Sequence, residues 1–211
     1  MEPVILNHPL VKHKLTILRD KQTGTKEFRE LIGEISTMLL YESMKDMKLT
    51  KKRIETPICE MEGEILDENK LAFVPILRAG TGMLDGLIKV IPNAKIGHIG
   101  MYRNEETLKP VKYYYKVPKD IAERVVYVLD PMLATGGSAI DAITMIKEDA
   151  GKDVLKIKFL CIIAAPEGIK KLQETYPDVE IYAAALDDHL NEVGYIVPGL
   201  GDAGDRIFGT K

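Results

Sequence analysis

Between residues 71 and 186, short apolar runs alternate with stretches of helical spacing, and this rhythm restricts the chain to parallel strands with helices packed on their faces. Residues 71–77, 95–100, 125–129, 156–164 and 180–186 read as strands. Helical stretches fall between them: Met83, Leu84, Leu87 and Ile88, then Ile140, Ile143, Met145 and Ile146 within 139–148, then residues 167–175. Parallel neighbours need right-handed crossovers, so the predicted fold is α/β, a doubly wound and mostly parallel sheet. An N-terminal helical segment precedes it. There Thr25 is predicted to cap a helix bearing Phe28, Leu31, Ile32, Ile35, Met38 and Leu39 on one face. Residues 51–69 are mixed, with strand character in Glu64, Ile65 and Leu66.

Two segments break the rhythm. Residues 104–118 read as an extended arm or hairpin, whose tyrosine run Tyr113, Tyr114 and Tyr115 suits packing against a partner subunit. Residues 194–211 are rich in glycine and lack a clear helical period. The 211 residues fit one domain, 1–211, with 104–118 as its arm and 187–211 as a hood over the site. Lysine plus arginine total 29 against 32 acidic residues, a net charge of -3 that offers no broad footprint for nucleic acid. Cys59 and Cys161 are too few for a disulfide framework, and Cys161 lies in an apolar run suited to a buried thiol. No run approaches the ~18 apolar residues of a membrane span, and no secretory signal is apparent, so a cytoplasmic protein is expected.

Residues 125–139 carry the clearest chemistry: an apolar strand, then Asp130, Pro131, Met132, Leu133, Ala134, Thr135, Gly136, Gly137 and Ser138, then a helix. Open α/β sheets bind ligands beyond the carboxyl ends of their strands, where this loop must lie. Gly136 and Gly137 let the backbone bring several N–H groups onto an anion, Thr135 and Ser138 add hydroxyls, and the helix adds its positive end. These features suit a phosphate. A carboxylate at the strand end, Asp130, suits two adjacent sugar hydroxyls.

Arg78, in the run Leu77-Arg78-Ala79-Gly80-Thr81-Gly82, ends one strand, and Arg103 follows the next. Two guanidinium groups at neighbouring strand ends suit a pyrophosphate. Gly199-Leu200-Gly201-Asp202-Ala203-Gly204 has the glycine spacing of a dinucleotide site, but no βαβ unit follows it, so that reading fails. The tail suits a different task. Main-chain groups near Gly201 and Ala203 can match the edge of a flat base with no side chain in the way. Asp187 and Asp188, adjacent at a strand end, could reach the active-site rim, but a solvated turn is the preferred reading. His8, His13, His98 and His189 show no metal-ligand spacing.

The run from Val126 to Ser138 resembles the phosphoribosyl pyrophosphate (PRPP) motif of type I phosphoribosyltransferases. Most members have two adjacent acids at the strand end. Here Leu129 precedes Asp130, as in the uracil phosphoribosyltransferases. The tail, Gly194-Tyr195-Ile196-Val197-Pro198-Gly199-Leu200-Gly201-Asp202-Ala203-Gly204-Asp205, is similar to that family's base-binding hood, and the likeness runs from His8 to Thr210. The resemblance implies transfer of the phosphoribosyl group of PRPP to uracil, giving uridine monophosphate (UMP) and pyrophosphate. It implies PRPP contacts from Arg78, Arg103, residues 130–138 and Asp202, and uracil contacts from Ile196, Gly201, Asp202 and Ala203. Asp130, Arg78, Arg103 and Asp202 would then be the catalytic set. Mg²⁺, a homo-oligomer and, as in some members, activation by GTP belong to the same expectation. The rivals are transfer to another base and a nucleotide-sensing regulator that binds RNA.

Overall fold

Alternating strand residues send their side chains to opposite faces of one sheet, and both faces are covered. The structure, a computed structural model, describes residues 2–103, 110–151 and 156–210. In chain order its elements are β1 (Val4–Ile5), α1 (Pro9–Arg19), α2 (Thr25–Ser43), β2 (Leu49–Glu55), β3 (Glu60–Leu66), β4 (Leu71–Leu77), α3 (Thr81–Ile88), β5 (Lys95–Ile96), β6 (His98–Arg103) and β7 (Pro110–Lys116). Then come β8 (Val125–Leu129), β9 (Met132–Leu133), α4 (Gly137–Ala150), β10 (Lys156–Ala164), α5 (Pro166–Thr175), β11 (Glu180–Leu186), β12 (His189–Leu190), β13 (Ile196–Val197) and α6 (Ala203–Phe208).

The main sheet runs β1-β11-β10-β8-β4-β6-β7, with β5 beside β4 and β9 beside β10. Every pairing in it is parallel except β6 with β7. Leu71, Phe73, Tyr127, Leu129, Leu160 and Ile162 face a core shared with α1, α2, α3 and α6. Ala72, Val74, Val126, Val128, Phe159 and Cys161 face a second core under α4 and α5. Such period-two division with helices on both faces is the doubly wound arrangement. The buried Cys161 thiol fits its reading from the sequence.

Several local expectations change. Thr25 is the first helical residue of α2 and Gly24 the cap. The predicted strand at 95–100 divides into β5 and β6 around Gly97. Of the arm or hairpin expected at 104–118, residues 110–116 return as the antiparallel edge strand β7, and 104–109 lie outside the described residues. Its tyrosines turn inward in part: the Tyr115 hydroxyl lies 3.1 Å from Asp149 on α4. The projecting hairpin is β2–β3, whose residues are almost all exposed.

Helices α2 and α3 cross where both carry glycine. A Cβ built on Gly86 would lie 2.1 Å from the Gly33 carbonyl oxygen, and backbone cannot swing aside as a side-chain tip can. Gly86→Ala is therefore expected to destabilise the protein by about 1–3 kcal/mol, the usual range for overpacking. Thermal unfolding checks this, since each kcal/mol lowers Tm by about 2–4 °C at this chain length.

Candidate active site

The strand order places the site. From β4 the chain crosses to β6 on one side, and from β8 it crosses to β10 on the other. Between β4 and β8 the direction of winding reverses, and open sheets form their ligand crevice beyond the carboxyl ends of such a pair. The register aligns Val74 with Val128 and Pro75 with Leu129, so the segments after Leu77 and Leu129 leave the sheet side by side. They contain Arg78 and Asp130. Gly80 fits only because it has no side chain: a Cβ there would lie 2.3 Å from the Leu129 carbonyl oxygen.

Beyond Asp130 the loop is half sheet and half turn. Met132 and Leu133 pair with Ile163 and Ala164, and the Pro131 carbonyl accepts from the N–H groups of Ile162 and Ile163. Pro131 and Leu133 are buried. Ala134, Thr135, Gly136, Gly137 and Ser138 form the turn proper, with Thr135 and Ser138 exposed. Gly136 has φ 77°, the left-handed region that favours glycine, and it caps α4. The first N–H groups of α4 have no partner within the helix and point toward its positive end. Across from the turn lies Gly168 of α5, whose added Cβ would meet the Ala134 carbonyl oxygen at 2.3 Å. The sequence gives no sign of this contact, since Gly168 looks like an ordinary glycine in a short helix.

Asp130 is half-buried and its carboxyl is largely withdrawn from water. Burial pushes its pKa from the ordinary 3.8 up to about 7, opposed only by the Met132 N–H, which donates to it at 3.4 Å. An acid held this way accommodates hydroxyl donors or a cation. Arg78 is exposed, with its guanidinium 5.5 Å from the centre of the Phe208 ring. Arg103 ends β6, next to β4 on the same rim; its side chain lies outside the described residues.

The tail reaches the Arg78 loop through α6. A Cβ on Gly204 would be 4.0 Å from that of Ala79, and one on Gly82 would be 2.9 Å from Ile207. Ile196 is buried in β13, Ala203 is buried at the start of α6, and Gly201 and Asp202 are exposed. Asp202 caps α6, accepting from the Asp205 N–H at 2.9 Å. Among the described residues nothing accepts from the N–H of Gly201 or Ala203. A cavity of about 580 Å³ joins Gly201 and Asp202 to Arg19, Lys21 and Arg206, on the side of the tail that faces α1. It includes none of the phosphate-loop residues.

Asp187 departs from its expected role. Asp188 is exposed as a turn residue should be, but the Asp187 side chain is 2% exposed and bound to Arg19 at 2.5 Å. No sequence signal links these two residues, which lie 168 positions apart.

Comparison with known proteins agrees with the geometry. The family model for uracil phosphoribosyltransferase matches residues 4–210. A uracil phosphoribosyltransferase of Lactiplantibacillus plantarum is 59% identical over 207 residues, 98% of each chain. One from Dictyoglomus thermophilum is 59% identical over 208 residues, 99% of each chain. A solved structure of a protein from Aquifex aeolicus superposes with a TM-score of 0.93 at 43% identity, covering 100% of this chain and 99% of that one. A hypoxanthine phosphoribosyltransferase of Staphylococcus aureus, at 15% identity and a TM-score of 0.50, shares the fold over 77% of this chain and 76% of its own. With the matched model spanning almost every residue and relatives this similar along their full length, the chain belongs to the uracil phosphoribosyltransferase family.

Proposed function

We propose that the crevice between β4 and β8 joins uracil to PRPP. Uracil N1 forms a bond to ribose C1. The bond from C1 to the pyrophosphate oxygen breaks with its electron pair leaving on pyrophosphate, and the N1 proton passes to water or a base. The observation that carries this reading is the meeting of two different loops at one switch point: the glycine turn opening α4, and the main-chain-rich tail seated against the Arg78 loop.

In this reading residues 134–138 hold the 5′-phosphate, with Pro131 to Leu133 fixing that turn to the sheet. Asp130 accepts from the ribose hydroxyls. Arg78 and Arg103 hold the pyrophosphate and oppose the charge that grows on it as it leaves. Main-chain groups of Gly201 and Ala203, with Ile196 and Asp202 around them, read the uracil edge. Holding both reactants in line removes much of the entropic barrier. We treat residues 1–211 as one catalytic unit with 187–211 as its hood.

Among the described residues no group of three or more His, Cys, Asp or Glu gathers to cage a metal. Mg²⁺ carried on pyrophosphate keeps substrate and water oxygens as ligands and needs no such cage, and Asp130, a strand-end carboxylate beside the Arg78 loop, is the residue that would hold it. Bound there, Mg²⁺ would offset charge on the leaving group. No described helix is long and apolar enough to cross a membrane. A cytoplasmic location belongs to the proposal, since phosphorylated sugars do not cross membranes unaided. Activation by GTP is also part of it, and is read by adding GTP to the assay.

A homo-oligomer completes the reading. A lone two-stranded hairpin is marginal in water, yet β2–β3 stands clear of the sheet with Ile54, Ile58, Met61 and Ile65 exposed. We expect these residues to pack on a second copy. Light scattering on Ile54→Ser/Ile58→Ser/Met61→Ser should show a smaller assembly than the parent; unchanged mass would remove the hairpin from the interface.

The reaction itself is tested by UMP formation from uracil, PRPP and Mg²⁺, with cytosine, orotate and hypoxanthine in parallel. Cytosine reverses part of the uracil edge and strands buried polar groups, so its kcat/KM should fall on the order of 10³-fold or more below that of uracil. Turnover of another base in preference to uracil would overturn the tail's assignment and leave the phosphate loop standing.

A further inference from the structure

We propose that Arg19 and Asp187 are positioning residues that set affinity and selectivity for the base without touching it, by fixing the main chain that reads it. The proposal rests on the uracil reading above. A reader whose hydrogen-bonding groups are backbone groups owes its precision to the orientation of a few peptide planes. Those planes lie among Gly199 (φ 68°) and Gly201 (φ 79°), in left-handed backbone where glycine is the most permissive residue. Something outside the tail must hold them.

The Arg19–Asp187 pair does so at Gly199. Asp187 Oδ2 accepts from the Gly199 N–H at 2.9 Å and from Arg19 Nη1 at 2.7 Å. Its Oδ1 accepts from Arg19 Nη2 at 2.5 Å. Arg19 Nη1 also donates to the Gly199 carbonyl at 2.6 Å. The N–H and the carbonyl of Gly199, in two successive peptide planes, are thus gripped by a single forked ion pair. The next carbonyl, that of Leu200, accepts from Arg206 Nη1 at 2.8 Å, while Arg206 Nη2 donates to the Asp20 carbonyl at 2.6 Å. The tail is therefore mounted, two residues ahead of Gly201, on the C-terminal end of α1.

Chemistry makes the mount demanding. The Asp187 carboxylate is buried and receives three N–H donors. A carboxamide has one oxygen and an NH₂ group, so Asp187→Asn leaves at least one donor facing another donor. Lysine in place of Arg19 keeps the charge but loses the planar fork. Neither residue contacts Asp130 or the turn at 134–138 in the described hydrogen bonds, so the PRPP half of the site should be spared.

The test compares the parent protein with Asp187→Asn, Arg19→Lys and the double variant. Steady-state KM is measured for uracil and for PRPP, and PRPP affinity is measured by calorimetry. The expected result is a uracil KM raised tenfold or more in each single variant, a higher cytosine-to-uracil ratio, and a PRPP Kd within twofold of the parent. The double variant should be little worse than the poorer single, since the two residues act as one unit. If Asp187→Asn does not fold, Arg19→Lys, which leaves a cation beside the buried carboxylate, carries the test. An unchanged uracil KM, or uracil KM and PRPP Kd rising together, would overturn the positioning role. A parent protein that fails to turn over uracil would instead sink the uracil reading.

Discussion

Asp130→Asn is expected to cut kcat/KM for UMP formation on the order of 100-fold while making the folded protein more resistant to heat at pH 8. Both effects come from one buried carboxyl. In the proposed reaction the ionised acid would accept charge-assisted hydrogen bonds from the sugar hydroxyls, each worth about 1.5–3 kcal/mol, and a neutral amide accepts more weakly and adds donors of its own. In the free enzyme the same acid lies in a place that disfavours its charge, which lifts its pKa from 3.8 to about 7. The sign follows from proton counting. Between those two values the folded chain holds a proton that the unfolded chain has released, so stability falls as pH rises through this window and levels off above it. Asparagine carries no such penalty. The Tm difference between variant and parent should be near zero at pH 4, grow toward pH 7 and stay constant beyond. A series of melting curves across that range, beside steady-state kinetics, gives both readouts. Near-parental kinetics would remove Asp130 from its assigned role.

Gly168→Ala should raise the KM for PRPP by about 10- to 100-fold, though residue 168 carries no polar side chain and sits on the far side of the loop. The added Cβ would lie 2.3 Å from the Ala134 carbonyl oxygen and 2.8 Å from that of Leu133. Neither oxygen is free to retreat into the sheet, because Met132 and Leu133 are paired with β10 and the Leu133 carbonyl accepts from the Ala165 N–H at 2.9 Å. The strain must go outward, into the exposed turn from Ala134 to Ser138. Displacement of about 1 Å in a positioning element can cost on the order of 10²-fold. Calorimetric PRPP binding should weaken in parallel. A PRPP KM within twofold of the parent would show that α5 does not brace the turn.

The alternation of apolar strands and amphipathic helices is written locally, so β4, β8, β10, β11 and the helices between them could be read from periodicity alone. The strand–Asp130–glycine–helix unit was legible for the same reason: all its parts are contiguous. The β2–β3 hairpin was read only at Glu64, Ile65 and Leu66, the end of β3. Its sequences Leu-Thr-Lys-Lys-Arg-Ile-Glu and Glu-Met-Glu-Gly-Glu-Ile-Leu bury neither face in this chain, so they lack the apolar alternation that marks a strand. Helix α6 was hidden by its six residues, too few for a period to emerge, although Asp202 ahead of Ala203 is a sound cap. Asp187 was misread because adjacent acids after a strand do resemble a wet turn. What buries one of them is an arginine near the other end of the chain, and local reading has no access to such a partner.

That separation bears on how the enzyme comes into being. Residues 187–206 are synthesised after every strand of the sheet, and they must then travel back to α1 across a contact spanning 168 residues. Closing so long a loop has an entropic cost that is recovered only once the grip on Gly199 is complete. The proposed sugar-phosphate cradle, made from neighbouring strands, can mature on a growing chain, whereas the proposed base reader is a late addition. A nascent chain would therefore complete the proposed donor site before the proposed acceptor site exists.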